Sequence, residues 1–162
     1  MNHLQKARWS LIAFTCCLFG VGLSVFPLDA ILSRLLPWSD QHFPQATLTL
    51  FLKDIAEAYY YNLKHYPFML YSLDWLGYAH LMIALVFIGP IRDPQRNIWV
   101  IQFGQLACLL TLPAIGLFGW LHQLPWQWSI LDCSFGLIGF AILRYSQLQV
   151  RYADQAGIYG PH

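Results

Sequence analysis

The chain has 162 residues, of which 57% are hydrophobic, 17% aromatic and only 10% charged. Soluble domains average about 25% charged residues, so a bilayer rather than water is the main solvent of this chain. A net charge of +1 supplies no basic field for a nucleic-acid backbone, which excludes DNA and RNA binding, and the length leaves room for one integral membrane domain over residues 1–162 and no separate soluble one.

Lys6 and Arg8 precede an uncharged apolar run over residues 9–28. A secretory signal has an apolar core of about 7 to 15 residues followed by a small-residue cleavage site. This run is longer and lacks the site, so it is expected to be a retained first span. The connection that follows, residues 29–67, is expected to break at Pro37 and Pro44 and then to form an amphipathic helix over about 45–66. Leu48, Phe51, Leu52, Ile55, Tyr59, Leu63 and Tyr66 recur there at helical spacing, opposite Lys53, Asp54, Glu57, Tyr61, Lys64 and His65. Such a helix serves as an anchor in the membrane surface or as a lid over a bundle. The ordinary i,i+4 pair Lys53 and Glu57 on its polar face favours the anchor.

Three further apolar segments, residues 68–91, 98–121 and 126–143, reach the roughly 20 residues needed to cross a bilayer. Asp93 followed by Pro94 reads as an N-cap and first helical residue, which would start the third span there. Arg92 and Arg96 beside that helix start form a candidate site for a phosphate or lipid headgroup, although positive-inside topology with an ordinary helix start is the favoured explanation of them. The connection over 122–125 is so short that the third and fourth spans must be antiparallel neighbours. The predicted fold is therefore all-α: a polytopic, antiparallel four-transmembrane-helix bundle with an amphipathic helix in the first outer loop.

Lys6, Arg8, Arg92, Arg96, Arg144 and Arg151 fall on one side of this arrangement, and Arg34, Lys53 and Lys64 on the other. The positive-inside rule then places both termini in the cytoplasm. Trp9 and Trp99 mark the inner interface, and Trp38, Trp75, Trp120, Trp126 and Trp128 the outer one, as an aromatic belt. The cysteines Cys16, Cys17, Cys108 and Cys133 form no CxxC pair and read as small packing residues.

Asp74 and Asp132 lie inside the second and fourth spans, where a carboxylate costs roughly 2.5 to 3.5 kcal/mol and marks a functional site by default. Close helix packing in membranes uses small residues at four-residue spacing. That criterion gives an inward face of Ala13, Cys16 or Cys17, Gly20 and Ser24 in span one, and of Gly104, Cys108, Thr111, Ile115 and Gly119 in span three. It groups Asp74, Gly77, His80 and Ala84 in span two, and Asp132, Gly136 and Gly139 in span four, so both aspartates are expected to face the protein at one level toward the outer side. The candidate site is Asp74, His80 and Asp132, with Tyr71, Tyr78, Ser129 and His122 at its rim.

Two carboxylates crowded in low dielectric can divide into an acid and a base, and a negative pocket with aromatic walls can hold an amine or hydroxylated lipid. Metal binding ranks below both, because Asp74 and His80 stand about 120° apart around their helix. No cofactor is implied. The competing reading makes both aspartates caps of outer helix starts.

The stretches Asp74-Trp75-Leu76-Gly77-Tyr78-Ala79-His80, Ile88-Gly89-Pro90-Ile91-Arg92-Asp93-Pro94, Arg96-Asn97-Ile98-Trp99-Val100-Ile101 and Ile130-Leu131-Asp132-Cys133-Ser134-Phe135-Gly136 resemble a family of uncharacterised bacterial inner-membrane proteins, over roughly residues 70–143. The resemblance implies a location and no activity. The functional expectation is an inner-membrane protein that binds a small amphiphile or lipid at Asp74, Tyr78, His80, His122 and Asp132, with membrane lipids as its other partners. The alternatives are a membrane-embedded acid/base enzyme, of isomerase or hydrolase type, on a lipid-soluble substrate, or an accessory subunit of a membrane complex.

Overall fold

The computed structural model of the protein describes residues 2–124 and 126–156. Pro125, at the end of the short connection between the last two spans, lies outside them. The described secondary structure runs α1 (His3–Ser24), α2 (Leu28–His42), α3 (Thr47–His65), α4 (Pro67–Val86), α5 (Ile88–Arg92), α6 (Ile98–Leu121) and α7 (Trp126–Gln155). The fold is all-α, and α1, α4 with α5, α6 and α7 are each long and apolar enough to cross a membrane. These four helices make the chain a multi-pass membrane protein.

The boundaries follow from local chemistry. Pro90 lacks an N–H, so the carbonyl four residues before it gains no helical partner, and the α4 helix yields to a turn at Phe87 before α5 resumes. Asp93 is extended, as a residue before proline must be (φ −138°, ψ 90°). Its Oδ1 accepts the Arg96 backbone N–H at 3.1 Å, so it closes a single turn. Helix α6 then starts at Ile98, later than an Asp93 N-cap would put it.

Two compact units are present, Met1–Cys17 with Ala84–His162, and Leu18–Ile83. In the first, α6 and α7 form an antiparallel hairpin whose contacts run in opposite directions along the chain. A Cβ built on Gly104 would meet Leu143, one on Gly139 would meet Cys108, one on Gly136 the Cys108 carbonyl and one on Gly119 the Ser129 hydroxyl. Leu11, Phe87, Val100, Ile101 and Leu143 form the core, with Phe14 set against Phe87 at 4.9 Å between ring centroids. Helix α7 continues well past residue 143 because the extension keeps one face buried, through Ser146, Gln147, Val150 and Ala153.

In the second unit, α2 and α3 form a helical hairpin. Pro37 lies inside α2 rather than ending it, which corrects the expected break. One missing backbone bond is outweighed by side-chain ties to α3: Ser39 and Thr49 hydroxyls share a hydrogen bond of 2.5 Å, and Asp40 pairs with Lys53 at 2.6 Å. The chain turns only around 43–46, and α3 covers most of the amphipathic helix expected over about 45–66.

The expected inward face of span one is also revised. Ala13, Cys16, Cys17, Gly20 and Ser24 are exposed, whereas Leu4, Ala7, Leu11 and Gly22 are buried. A Cβ added to Gly20 would meet nothing, while one on Gly22 would stand 2.8 Å from the Gly77 carbonyl and 2.9 Å from the His80 Cβ. The close approach of α1 to α4 runs through Gly22 and Gly77.

Candidate functional site

Asp74 and Asp132 are both interior to their helices, about two turns beyond the first residues of α4 and α7. Neither lies in a first turn, so helix capping does not explain them. Both are exposed, as are Tyr78 and His122. On α7 the buried stripe passes through Gly136, Gly139 and Leu143 with half-buried Cys133. Asp132, four residues before Gly136 and so about 40° from it around the helix, continues that stripe in phase as expected, but its side chain is exposed rather than covered by the protein. Asp74, Tyr78 and His80 belong to the second unit, and Asp132, His122, Arg92 and Arg96 to the first.

His80 donates its Nδ1 proton to the Leu76 carbonyl of its own helix at 2.8 Å. A carbonyl can only accept, so the neutral ring carries its proton on Nδ1 and leaves Nε2 as an acceptor. Its Cβ lies against Gly22. The histidine is thus held by local helix geometry.

Asp74 has other company. The Tyr59 phenol on α3 is raised above its ordinary range, first by desolvation and then by the charges of Asp29 and Asp74. Tyr60 is raised as well, by desolvation and then by the hydrogen bond it donates to Asp29. Asp29, at the start of α2, therefore acts on both tyrosines, and Asp74, on α4, on Tyr59. On α4, about one turn or less from Asp74 along the helix, Tyr71 and Trp75 pack edge-on at 6.1 Å, and Trp75 and Tyr78 at 5.7 Å. All three rings are exposed. Carboxylates next to exposed aromatic faces suit a cation, which gains from both charge and ring quadrupole.

Residue-type reasoning overlooked Asp29, Tyr59 and Tyr60 as a group, because their connection to Asp74 depends on the α2–α3 hairpin folding back. It also overlooked a polar seam in the first unit. Gln105, 9% exposed, donates to the Leu143 carbonyl at 3.1 Å and to Gln147 Oε1 at 3.3 Å, and Arg144 donates to the same oxygen at 2.7 Å. Ser10 and Ser146 share a bond of 2.7 Å, and the His3 ring bonds Gln149 at 2.7 Å. Every buried side-chain nitrogen or oxygen among the described residues has a partner. The seam ties the helices in register through hydrogen bonds between their own side chains and backbone.

An open hollow of about 590 Å³ lies at the turn between α6 and α7, lined by Trp120, Gln123, Trp126 and Ser129 among others. Gln123 there adopts φ 52°. Among the described residues, no three His, Cys, Asp or Glu side chains gather to hold a metal ion. Arg92 and Arg96 are exposed at the α5–α6 connection. No protein family, curated protein or solved structure matches the chain.

Proposed function

We propose that the chain is a multi-pass protein of a bacterial inner membrane, with both termini cytoplasmic, that binds a small amphiphile through a cationic head held at Asp74. The observation that supports this is that Asp29 and Asp74 both act on Tyr59, while Asp74 shares its helix with the exposed, mutually packed rings of Tyr71, Trp75 and Tyr78. An amine or quaternary ammonium finds two negative charges and several ring faces there. Its alkyl tail stays in the lipid around α4. His80, bonded to its own helix, shapes the wall of the site rather than donating to the ligand.

The test is saturable binding of a fluorescent long-chain trimethylammonium amphiphile to the protein in neutral detergent. Asp74→Asn and Asp29→Asn each weaken it about tenfold, a change of roughly 1.4 kcal/mol. Equal binding of a sulfate-headed analogue, or unchanged affinity in Asp74→Asn, rejects the site.

A second reading has one observation in its favour. Asp132 is an uncovered carboxylate within a candidate span, and a polar group in that position suits a hydrogen bond to a helix of another subunit. Isolation of a stoichiometric partner that is lost in Asp132→Leu supports an accessory subunit; isolation of the chain alone counts against it.

A further inference from the structure

We propose that Arg8 and Arg92 together hold the phosphate of an anionic phospholipid headgroup, at a site separate from Asp74. The Arg8 guanidinium donates from Nη2 to the Arg92 carbonyl at 3.0 Å. That bond ties one cation to the last residue of α5, from which the second cation itself departs. The Arg92 side chain leaves the same residue whose carbonyl holds Arg8, and both arginines are exposed, so a phosphate at the Arg8 guanidinium is within reach of a second cation.

Among the described residues, neither arginine forms a salt bridge. The salt bridge formed among the described residues, Lys53 to Asp40, lies in the other unit. Of the acids in this unit, Asp93 directs Oδ1 to the Arg96 backbone N–H, and Asp154 accepts from Gln95. A phosphate reached by two guanidinium groups can accept bidentate bonds from both, which a single carbonyl contact does not offer.

The surroundings select a lipid over a free ion. Trp9, next to Arg8, and Trp99, at the start of α6, are 63% and 61% exposed, as indole rings at headgroup depth are. Ile88, four residues before Arg92 on α5 and so near its helical face, and Leu85, near the end of α4, are exposed apolar side chains. They give an acyl chain a track leading away from the phosphate into the hydrocarbon.

The experiment is native mass spectrometry of the whole protein purified in a mild neutral detergent with equal phosphatidylglycerol and phosphatidylcholine. The expected result is preferential retention of phosphatidylglycerol, reduced about fivefold in Arg8→Gln and in Arg92→Gln, on the basis of roughly 1 kcal/mol per arginine near an anionic lipid surface. Arg92→Gln keeps the Arg8 bond, because that bond is made to the backbone, so its loss of lipid reports charge rather than a damaged fold. Arg151→Gln, on α7, leaves retention unchanged. Equal retention of phosphatidylcholine, full retention in the double variant, or displacement of the lipid by inorganic phosphate at matched concentration each overturns the proposal.

Discussion

Gly22 and Gly77 contact each other through backbone, so the consequence of adding one methyl group can be argued atom by atom. A Cβ on Gly22 would stand 2.8 Å from the Gly77 carbonyl oxygen, and one on Gly77 would stand 2.9 Å from that of Gly22. Neither oxygen can move without its helix, so Gly22→Ala should cost about 1 to 3 kcal/mol, as overpacking does. Gly20→Ala, with nothing within 4 Å, should be neutral or slightly stabilising. Thermal unfolding in detergent separates the two, and equal midpoints would remove the α1–α4 contact as a determinant of stability. The tyrosines supply a pH prediction at the same scale. Tyr59 and Tyr60 are raised, Tyr59 by desolvation, Asp29 and Asp74, and Tyr60 by desolvation and Asp29. Folding therefore favours the neutral phenols: their contribution is fully present below the unfolded tyrosine value of about 10 and is lost as pH rises through the folded values. Tyrosinate absorbance should show two late-titrating phenols in the native protein, with Tyr60 returning toward its ordinary range in Asp29→Asn. Two early-titrating phenols would contradict the cluster.

Helical elements were legible in the sequence wherever length and apolarity alone decide, and less so where tertiary contact does. Residues 98–121 form α6 with the expected bounds, and much of its expected packing face is found, since Gly104 and Gly119 are buried and Cys108 is half-buried. Helix α2 was illegible because Pro37 argues against it locally, while Ser39, Thr49, Asp40 and Lys53 argue for it only once α3 has folded back. The span-one face was misread in helical phase, since the small residues Ala13, Cys16 and Gly20 are exposed while Leu4, Ala7, Leu11 and Gly22 are buried. Within the α2–α3 hairpin the two cross-links should differ in weight. Ser39 and Thr49 are 4% and 0% exposed, so Thr49→Val leaves a buried hydroxyl without its partner and should cost about 1 to 3 kcal/mol. Lys53 and Asp40 are 43% and 46% exposed, and Lys53→Ala should cost less than about 1 kcal/mol. Hydrogen exchange of the α2 amides gives the comparison, and a larger loss of protection in Lys53→Ala would reverse the ranking.

At the scale of the whole molecule, apolar side chains dominate the exposed surface while Gln105, Ser146 and Gln147 are buried and bonded to one another or to neighbours. That inversion of the soluble pattern is what a chain solvated by lipid requires, since polar groups find partners only inside the protein. Orientation rests on a different quantity, the distribution of cations. Lys6 and Arg8 belong to the start of α1, Arg92 and Arg96 to the α5–α6 connection, and Arg144 and Arg151 to the far part of α7, whereas Arg34, Lys53 and Lys64 lie between α1 and α4. An even number of spans puts both chain ends on one side, and lysine and arginine near span ends, rather than net charge, decide which. The carboxylates of Asp54 and Glu57 on α3 therefore do not offset Lys53 and Lys64 in this respect. A green fluorescent protein fused after α7 should be fluorescent, and alkaline phosphatase at the same point inactive. With the four cysteines replaced by serine, a new cysteine at Gln45, in the α2–α3 turn, should react with an impermeant maleimide added to intact cells, and one at Gln95 should react only after lysis. The opposite labelling would invert the topology, placing the α2–α3 hairpin with Asp29, Tyr59 and Tyr60 in the cytoplasm and limiting Asp74 to ligands that approach from there.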